Sequence, residues 1–144
     1  MVRRPQDSRS EVPDGRGTST IVAGVSGMRA KDALGHYGEE LAVRTLRAAG
    51  LDIIDRNWRC SQGEIDIVAR DGATLVFCEV KTRTSCDFGS PAAAVDARKL
   101  SRLHRLAAAW LSAHEEHAAD VRIDVVAVIC RKGAPVIEHL RAVG

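Results

Sequence analysis

Aromatic side chains are nearly missing from this chain: two Trp, one Tyr and two Phe among 144 residues. A surface built mainly by stacking single-stranded bases on aromatic rings is therefore disfavoured, and the core must be aliphatic. Cysteine is sparse too. Cys60, Cys78, Cys86 and Cys130 show no C-x-x-C spacing and no Cys/His grouping of the zinc-finger kind. They read as buried or incidental thiols of a reducing compartment. No run approaches the roughly 20 apolar residues of a membrane-spanning helix. The apolar "IVAGV" at 21–25 is too short for a signal-peptide core, so the expected location is the cytoplasm, with no membrane partner. There is no Gly-rich phosphate loop and no G-x-S-x-G elbow, which leaves nucleotide hydrolysis and serine hydrolysis without support. His114 and His117 in "HEEH" lack the H-E-x-x-H spacing and receive no role.

What is present suits a globular domain, with 45% apolar and 28% charged residues. Net charge is only +2, and it is unevenly placed: residues 1–31 carry six Lys/Arg against three Asp/Glu, and the remainder is close to neutral. Any affinity for nucleic acid must come from local patches. Residues 1–30 are polar, rich in Arg, Ser, Gly and Pro, and without apolar period. They predict a disordered tail before a single domain at 31–144.

From Leu34 the pattern changes. "LGHYGEELAVRTLRAAG" spaces Leu34, Tyr37, Leu41 and Leu46 for a helix, with Gly50 as its stop. "LDIIDRNW", "EIDIVAR" and "ATLVFCEVKTR" predict three strands, the last two forming an antiparallel hairpin. A polar loop, "TSCDFGSP", precedes a long helix over about 92–117 with Leu100, Leu103, Ala107, Trp110 and Leu111 as its apolar stripe. "VRIDVVAVIC" predicts a buried strand and "APVIEHLRAV" a more polar edge strand. The order α-β-β-β-α-β-β describes an α/β fold, a mixed five-stranded sheet flanked by helices.

Three charges sit badly in this scheme. The strand "TLVFCEV" is apolar on both faces and so should be central, yet it runs into Glu79 and Lys81, and its neighbour carries Asp66. Buried charge without a partner is costly. Alternation along strands puts Glu64, Asp66 and Val68 on one face of the second strand, and Leu75, Phe77, Glu79 and Lys81 on one face of the third. A four-residue loop at 71–74 sets Asp66 directly opposite Glu79, and a two-residue loop makes them diagonal neighbours. In either register they share a face. Two carboxylates so close must take up a proton or hold a cation. A hard divalent ion such as Mg²⁺ suits two carboxylates plus waters. The Lys81 ammonium can orient water or offset charge developing on a phosphate. Together these residues are equipment for metal-assisted phosphodiester hydrolysis. A plain cross-strand ion pair is the blander account of the same spacing.

Asp66, a twelve-residue gap and Glu79-Val80-Lys81 resemble the D-x(n)-E-x-K core of the restriction-endonuclease-like nuclease superfamily, with Ile65 where a Pro is usual. The stretches "GEELAVRTL", "NWRCSQGEIDIVARDG", "LVFCEVKTR", "FGSPAAAVDARK" and "RIDVVAV" resemble the YraN-like family of small bacterial proteins across about residues 34 to 140. That family is similar to archaeal Holliday-junction resolvases. The resemblance implies a restriction-endonuclease-like core, Mg²⁺ or Mn²⁺ as cofactor, DNA as substrate and a preference for branched DNA. Cleavage of a four-way junction takes two sites and so implies a homodimer. The resemblance also implies a glutamate from the first helix, four residues after a glycine, a spacing that Gly35 and Glu39 match.

The expected catalytic set is Glu39, Asp66, Glu79 and Lys81. Asp66 and Glu79 are the expected metal ligands, and Glu39 and Glu64 are further candidates. Expected nucleic-acid contacts are Arg59, Arg83, Arg98, Lys99 and Arg102. Arg98, Arg102 and Arg105 fall on one side of the long helix, and Arg56 is a candidate lining residue beside Arg59. The alternative function is a non-catalytic nucleic-acid-binding or partner-binding protein that keeps the nuclease fold.

Overall fold

A computed structural model of the chain describes residues 30–84 and 95–144. The expected tail, Cys86, most of the "TSCDFGSP" loop and the expected start of the long helix lie outside those residues. The elements described below belong to a unit spanning Leu34–Gly144, except that the first helix begins at Ala30.

Helix α1 (Ala30–Ala48) buries a stripe of Glu39, Ala42, Val43 and Leu46, spaced i, i+3, i+4, i+7. The expected stripe through Tyr37 is rotated: Tyr37 is 48% exposed. The helix ends as its sequence predicts. Gly50 takes φ +94°, its amide donates to the Arg47 carbonyl, and the Leu51 amide reaches back to the Leu46 carbonyl. That left-handed turn suits glycine, and burial of Leu51 completes the cap.

Five strands follow in the expected order, β1 (Asp52–Cys60), β2 (Gly63–Asp71), β3 (Thr74–Arg83), β4 (Asp120–Ile129) and β5 (Val136–Leu140). They form one sheet in spatial order β1-β2-β3-β4-β5. The β3–β4 pair is parallel and the other three are antiparallel, so the sheet is mixed as predicted. Parallel β3 and β4 need a crossover, and helix α2 (Ala97–Ala113) lies in it. β3 is the middle strand, which accounts for its apolar residues on both faces.

The two helices cover opposite faces. Ala42, Val43 and Leu46 of α1 pack with Ile67, Ala69, Val76, Cys78, Val126 and Val128. Leu103, Leu106, Ala107 and Trp110 of α2 pack with Ile65, Val68, Leu75, Phe77 and Ile123. Each fully buried Leu, Ile or Phe contributes roughly 1.5–3 kcal/mol. Trp58 packs at the margin of the α2-side cluster, and Trp110 meets Phe77 edge-on at 5.6 Å.

α2 is shorter than its periodicity suggests. Asp96 caps its start, accepting the Lys99 amide at 2.9 Å. His114 ends it, and Glu115 turns left-handed at φ +50°. His114 and His117 are therefore not a helical turn apart. His114 instead stacks on Trp110, with ring centroids 4.1 Å apart.

One buried group has no counterpart in the sequence reading. Asp124 on β4 is 0% exposed. Arg122 donates to both its oxygens, at 2.9 and 3.0 Å, the Ala142 amide donates at 3.0 Å, and His139 Nε2 lies 2.7 Å away. Arg122 also reaches Asp71 at 3.0 Å. Burial pushes the Asp124 carboxyl up, but the bonds from Arg122, the Ala142 amide and His139 outweigh it and hold the carboxyl below its usual range.

Candidate functional site

The hairpin that carries the three charges turns on Gly72 and Ala73, with Asp71 paired to Thr74. This two-residue loop keeps the register in which Asp66 projects directly opposite Glu79. The diagonal arrangement expected of a two-residue loop does not arise, because the loop falls one residue later than Asp71–Gly72. Pairing of β2 with β3 stops at Ile67 and Cys78, so β3 leaves β2 just where the carboxylates begin.

Strict alternation fails beside Asp66. Ile65 packs with the α2-side cluster and Ile67 with the α1-side cluster, although they are two residues apart. The partner strand has its own irregularity there, since Asn57 is left-handed at φ +54°. Asn tolerates that conformation better than most residues. Asp66 consequently lies between the faces. Its Oδ2 accepts the Val80 backbone amide at 2.8 Å. Strand amides point along the sheet, so this carboxylate sits in the gap between the diverging strands.

That position is electrostatically poor. Burial is the main cause that raises the Asp66 carboxyl, to about 7, and the neighbouring carboxylates of Glu79, Glu39 and Glu64 raise it further. The Val80 amide opposes them without prevailing. An acid that titrates near neutrality among other acids is a group seeking a proton or a cation.

The other acids approach from different sides. Glu39, 8% exposed, comes from α1. Its Oε1 accepts from Asn57 Nδ2 at 2.9 Å and from Arg56 at 3.4 Å. Glu40 turns outward and pairs with Arg56 at 2.6 Å. That bond is the main cause holding the Glu40 carboxyl below its usual range. Glu79 belongs to the α2 side: Lys99 Nζ lies 2.6 Å from Glu79 Oε2, with the two side chains 22% and 13% exposed. Glu64 pairs across the strands with Arg59 at 3.6 Å. Lys81 follows Glu79 by two residues on the same face, and among the described residues it has no ion-pair partner.

α1 comes close to β3 through Gly38. A Cβ there would overlap Thr82 Oγ1 and lie 2.9 Å from Cγ2 and 3.0 Å from Cβ of the same residue. Rotating Thr82 cannot clear all three contacts. Gly38→Ala should therefore push α1 off β3 and carry Glu39 with it, at about 1–3 kcal/mol. Urea unfolding of the variant should show that loss, and an unchanged midpoint would deny the close approach.

Glu79 is thus close enough for its charge to raise Asp66, and Lys81 follows Glu79 by two residues in β3. Glu39, held by Asn57 and Arg56, adds its charge to Asp66 from the α1 side. Among the described residues no group of three or more His, Cys, Asp or Glu side chains is placed to hold a metal ion. Two carboxylates with waters are still an ordinary donor set for Mg²⁺, and the raised Asp66 carboxyl suits one. Several of the expected residues have partners in the structure. Glu64 pairs with the exposed Arg59 and still adds to the charge that raises Asp66. Arg56 is clasped by Glu39 and Glu40, and is not an open groove residue. Lys99 reaches into the site itself. Arg98 and Arg102 are exposed on α2, Arg59 is exposed on β1, and Arg83 ends β3 half-buried. Asn57 is the residue that sequence reasoning missed. The signal was an Asn inside a strand, a residue type depleted there.

The two described concavities, of about 440 and 410 Å³, are lined by Val95, His139, Leu140, Arg141 and Val143 and by Arg47, Gly50, Leu51, Asp52 and Ile53. Neither includes Asp66, Glu79 or Lys81. No described helix is long and apolar enough to cross a membrane.

Comparison with known proteins gives a consistent answer. Residues 38–128 match the model of "Uncharacterised protein family UPF0102". A UPF0102 protein of Beutenbergia cavernae is 63% identical over 118 residues, 81% of this chain and 100% of that protein. A UPF0102 protein of Frankia alni is 59% identical over 115 residues, 79% of this chain and 96% of that protein. Another, from Streptomyces griseus, is 58% identical over 118 residues, 81% of this chain and 99% of that protein.

Proposed function

The chain belongs to the UPF0102 family, and for this member we propose a metal-dependent nuclease that hydrolyses DNA phosphodiester bonds. The observation that carries the reading is Asp66, a largely buried carboxyl raised to about 7 beside Glu79 at the point where two strands part. The D…E-x-K resemblance to restriction-endonuclease-like enzymes supports it, as does the likeness to archaeal Holliday-junction resolvases, which favours branched DNA and a dimer.

In this reading Asp66 and Glu79 would hold Mg²⁺ or Mn²⁺. Such an ion, when bound, polarises the phosphate and lowers the pKa of bound water. Lys81, without an acidic partner among the described residues, is suited to orient the attacking water and to offset charge on the phosphate. Glu39, fixed by Asn57 and Arg56, adds negative field at Asp66. Exposed Arg59, Arg98 and Arg102 would contact phosphates, with binding that weakens as salt rises.

The test is a panel of single-stranded, duplex, flap and four-way DNA with Mg²⁺ or Mn²⁺. Wild type should cut at least one member. Asp66→Ala should abolish cutting, and Lys81→Ala should slow it by about 10²–10³-fold, both with unchanged circular dichroism. Cutting that survives in both variants would assign the activity elsewhere. The second reading, a non-catalytic nucleic-acid-binding or partner-binding protein, draws on the Lys99–Glu79 pair, which already satisfies one carboxylate. It predicts no cutting with any metal, and binding that tolerates Asp66→Ala.

A further inference from the structure

We propose that Lys99 is a built-in counter-ion that holds the Glu79 carboxylate until a divalent cation arrives, and that it is then handed to a phosphate of the substrate. The inference rests on the nuclease reading and adds a positioning residue to it. Lys99 comes from α2, the helix in the crossover that follows β3, and its Nζ lies 2.6 Å from Glu79 Oε2. Both side chains are mostly shielded, so water screens the pair little. Its backbone is fixed as well, because the Lys99 amide is the one capped by Asp96 at the start of α2.

The chemistry makes the two cations exclusive at that oxygen. An ammonium has no lone pair and cannot join a metal's ligands. A dication held by Asp66 and Glu79 repels an ammonium 2.6 Å from the same carboxylate. The lysine must give way, and its flexible four-carbon stem allows that while its backbone stays put. The new partner is defined by position. Arg98 precedes Lys99 and Arg102 lies one turn beyond, both exposed, so a phosphate backbone lying along the first turns of α2 passes within reach of the released ammonium. In the free protein Lys99 spares Glu79 a bare charge beside Asp66. In the loaded site it is a phosphate contact.

A purely structural lysine and an exchanging one differ in the sign of two measurements. Calorimetry would give the Mn²⁺ affinity of the metal-free protein, for wild type, Lys99→Met, Lys99→Gln and Lys99→Arg. Binding of a labelled DNA duplex in Ca²⁺ would be followed against salt. Removal of the competing charge in Lys99→Met and Lys99→Gln should tighten Mn²⁺ by about tenfold, the equivalent of one charged hydrogen bond. The same variants should bind DNA more weakly, with the salt slope reduced by about one. Lys99→Arg keeps the charge and should stay near wild type in both. If wild type binds Mn²⁺ and the neutral variants bind it no tighter, the exchange is overturned while the nuclease reading stands. If neither wild type nor any variant binds Mn²⁺, both fall together. Tighter metal with unchanged DNA binding overturns the transfer to phosphate.

Discussion

Asp66→Asn should make the metal-free protein more stable while removing the proposed metal site. The Asp66 carboxyl, ordinarily near 3.8, is raised to about 7. A folded pKa above the unfolded one means that the native state binds protons more tightly. The stability that this contributes is fully present below pH 3.8 and is lost as pH rises towards 7. A shift of that size corresponds to at most about 4 kcal/mol, and the group's partial access to water brings the expected effect nearer 2. Asparagine has nearly the same shape and keeps an oxygen for the Val80 amide, yet carries no charge to bury. In chelator, urea unfolding should show the gain of Asp66→Asn growing from about pH 4 and levelling off above about pH 7. A variant less stable than wild type at pH 8 would mean that the carboxylate is well served by its surroundings. Groups held at a cost to stability are common at functional sites.

Asp124→Ala should have the opposite effect, a loss of about 3–5 kcal/mol. Its carboxylate is fully buried and takes bonds from Arg122, the Ala142 amide and His139. Removal of the shared acceptor strands donors that are themselves mostly covered. Because the folded pKa of Asp124 is held below 3.8, its contribution is present above that value and is lost as pH falls through the folded pKa. Wild type should therefore lose stability on acidification below about pH 4 through a component that the variant lacks. The urea midpoint at pH 7 measures the main effect. A shift under 1 kcal/mol would show that Arg122 and His139 find water or other partners.

These two aspartates mark what was legible in the sequence and what was not. Both stand in apolar strands, and the same rule, that buried charge needs a reason, applies to each. Asp66 stood out because Glu79 and Lys81 follow at a suggestive spacing. Asp124 in "VRIDVVAVIC" had no such signal, since two of its partners, His139 on β5 and the Ala142 amide beyond, come together only through pairing of β5 with β4. What separates them is the number of donors, four bonds against one amide. Donor counts depend on tertiary contacts that periodicity does not encode.

The element order, the mixed sheet and the central β3 were legible because apolar alternation and turn residues are local signals. The burial of Glu39 in preference to Glu40 could also have been read, since Glu39 continues the Ala42, Val43, Leu46 spacing. The left-handed Asn57, the failure of alternation at Asp66 and the reach of Lys99 from α2 to Glu79 were not legible. A left-handed residue inside a strand leaves no periodic trace, and a long side chain's partner depends on how a helix docks. The end of α2 was overestimated because "SAHEEHAA" is compatible with a helix, and only the turn at Glu115 and the stack of His114 on Trp110 decide against it.

The central claim is that Asp66 and Glu79 form a divalent-cation site. Calorimetric titration of the metal-free protein with Mn²⁺, wild type beside Asp66→Asn, tests it most directly. The account predicts saturable binding to wild type that is lost in the variant. Equal binding by the two proteins, or none by wild type, would contradict it.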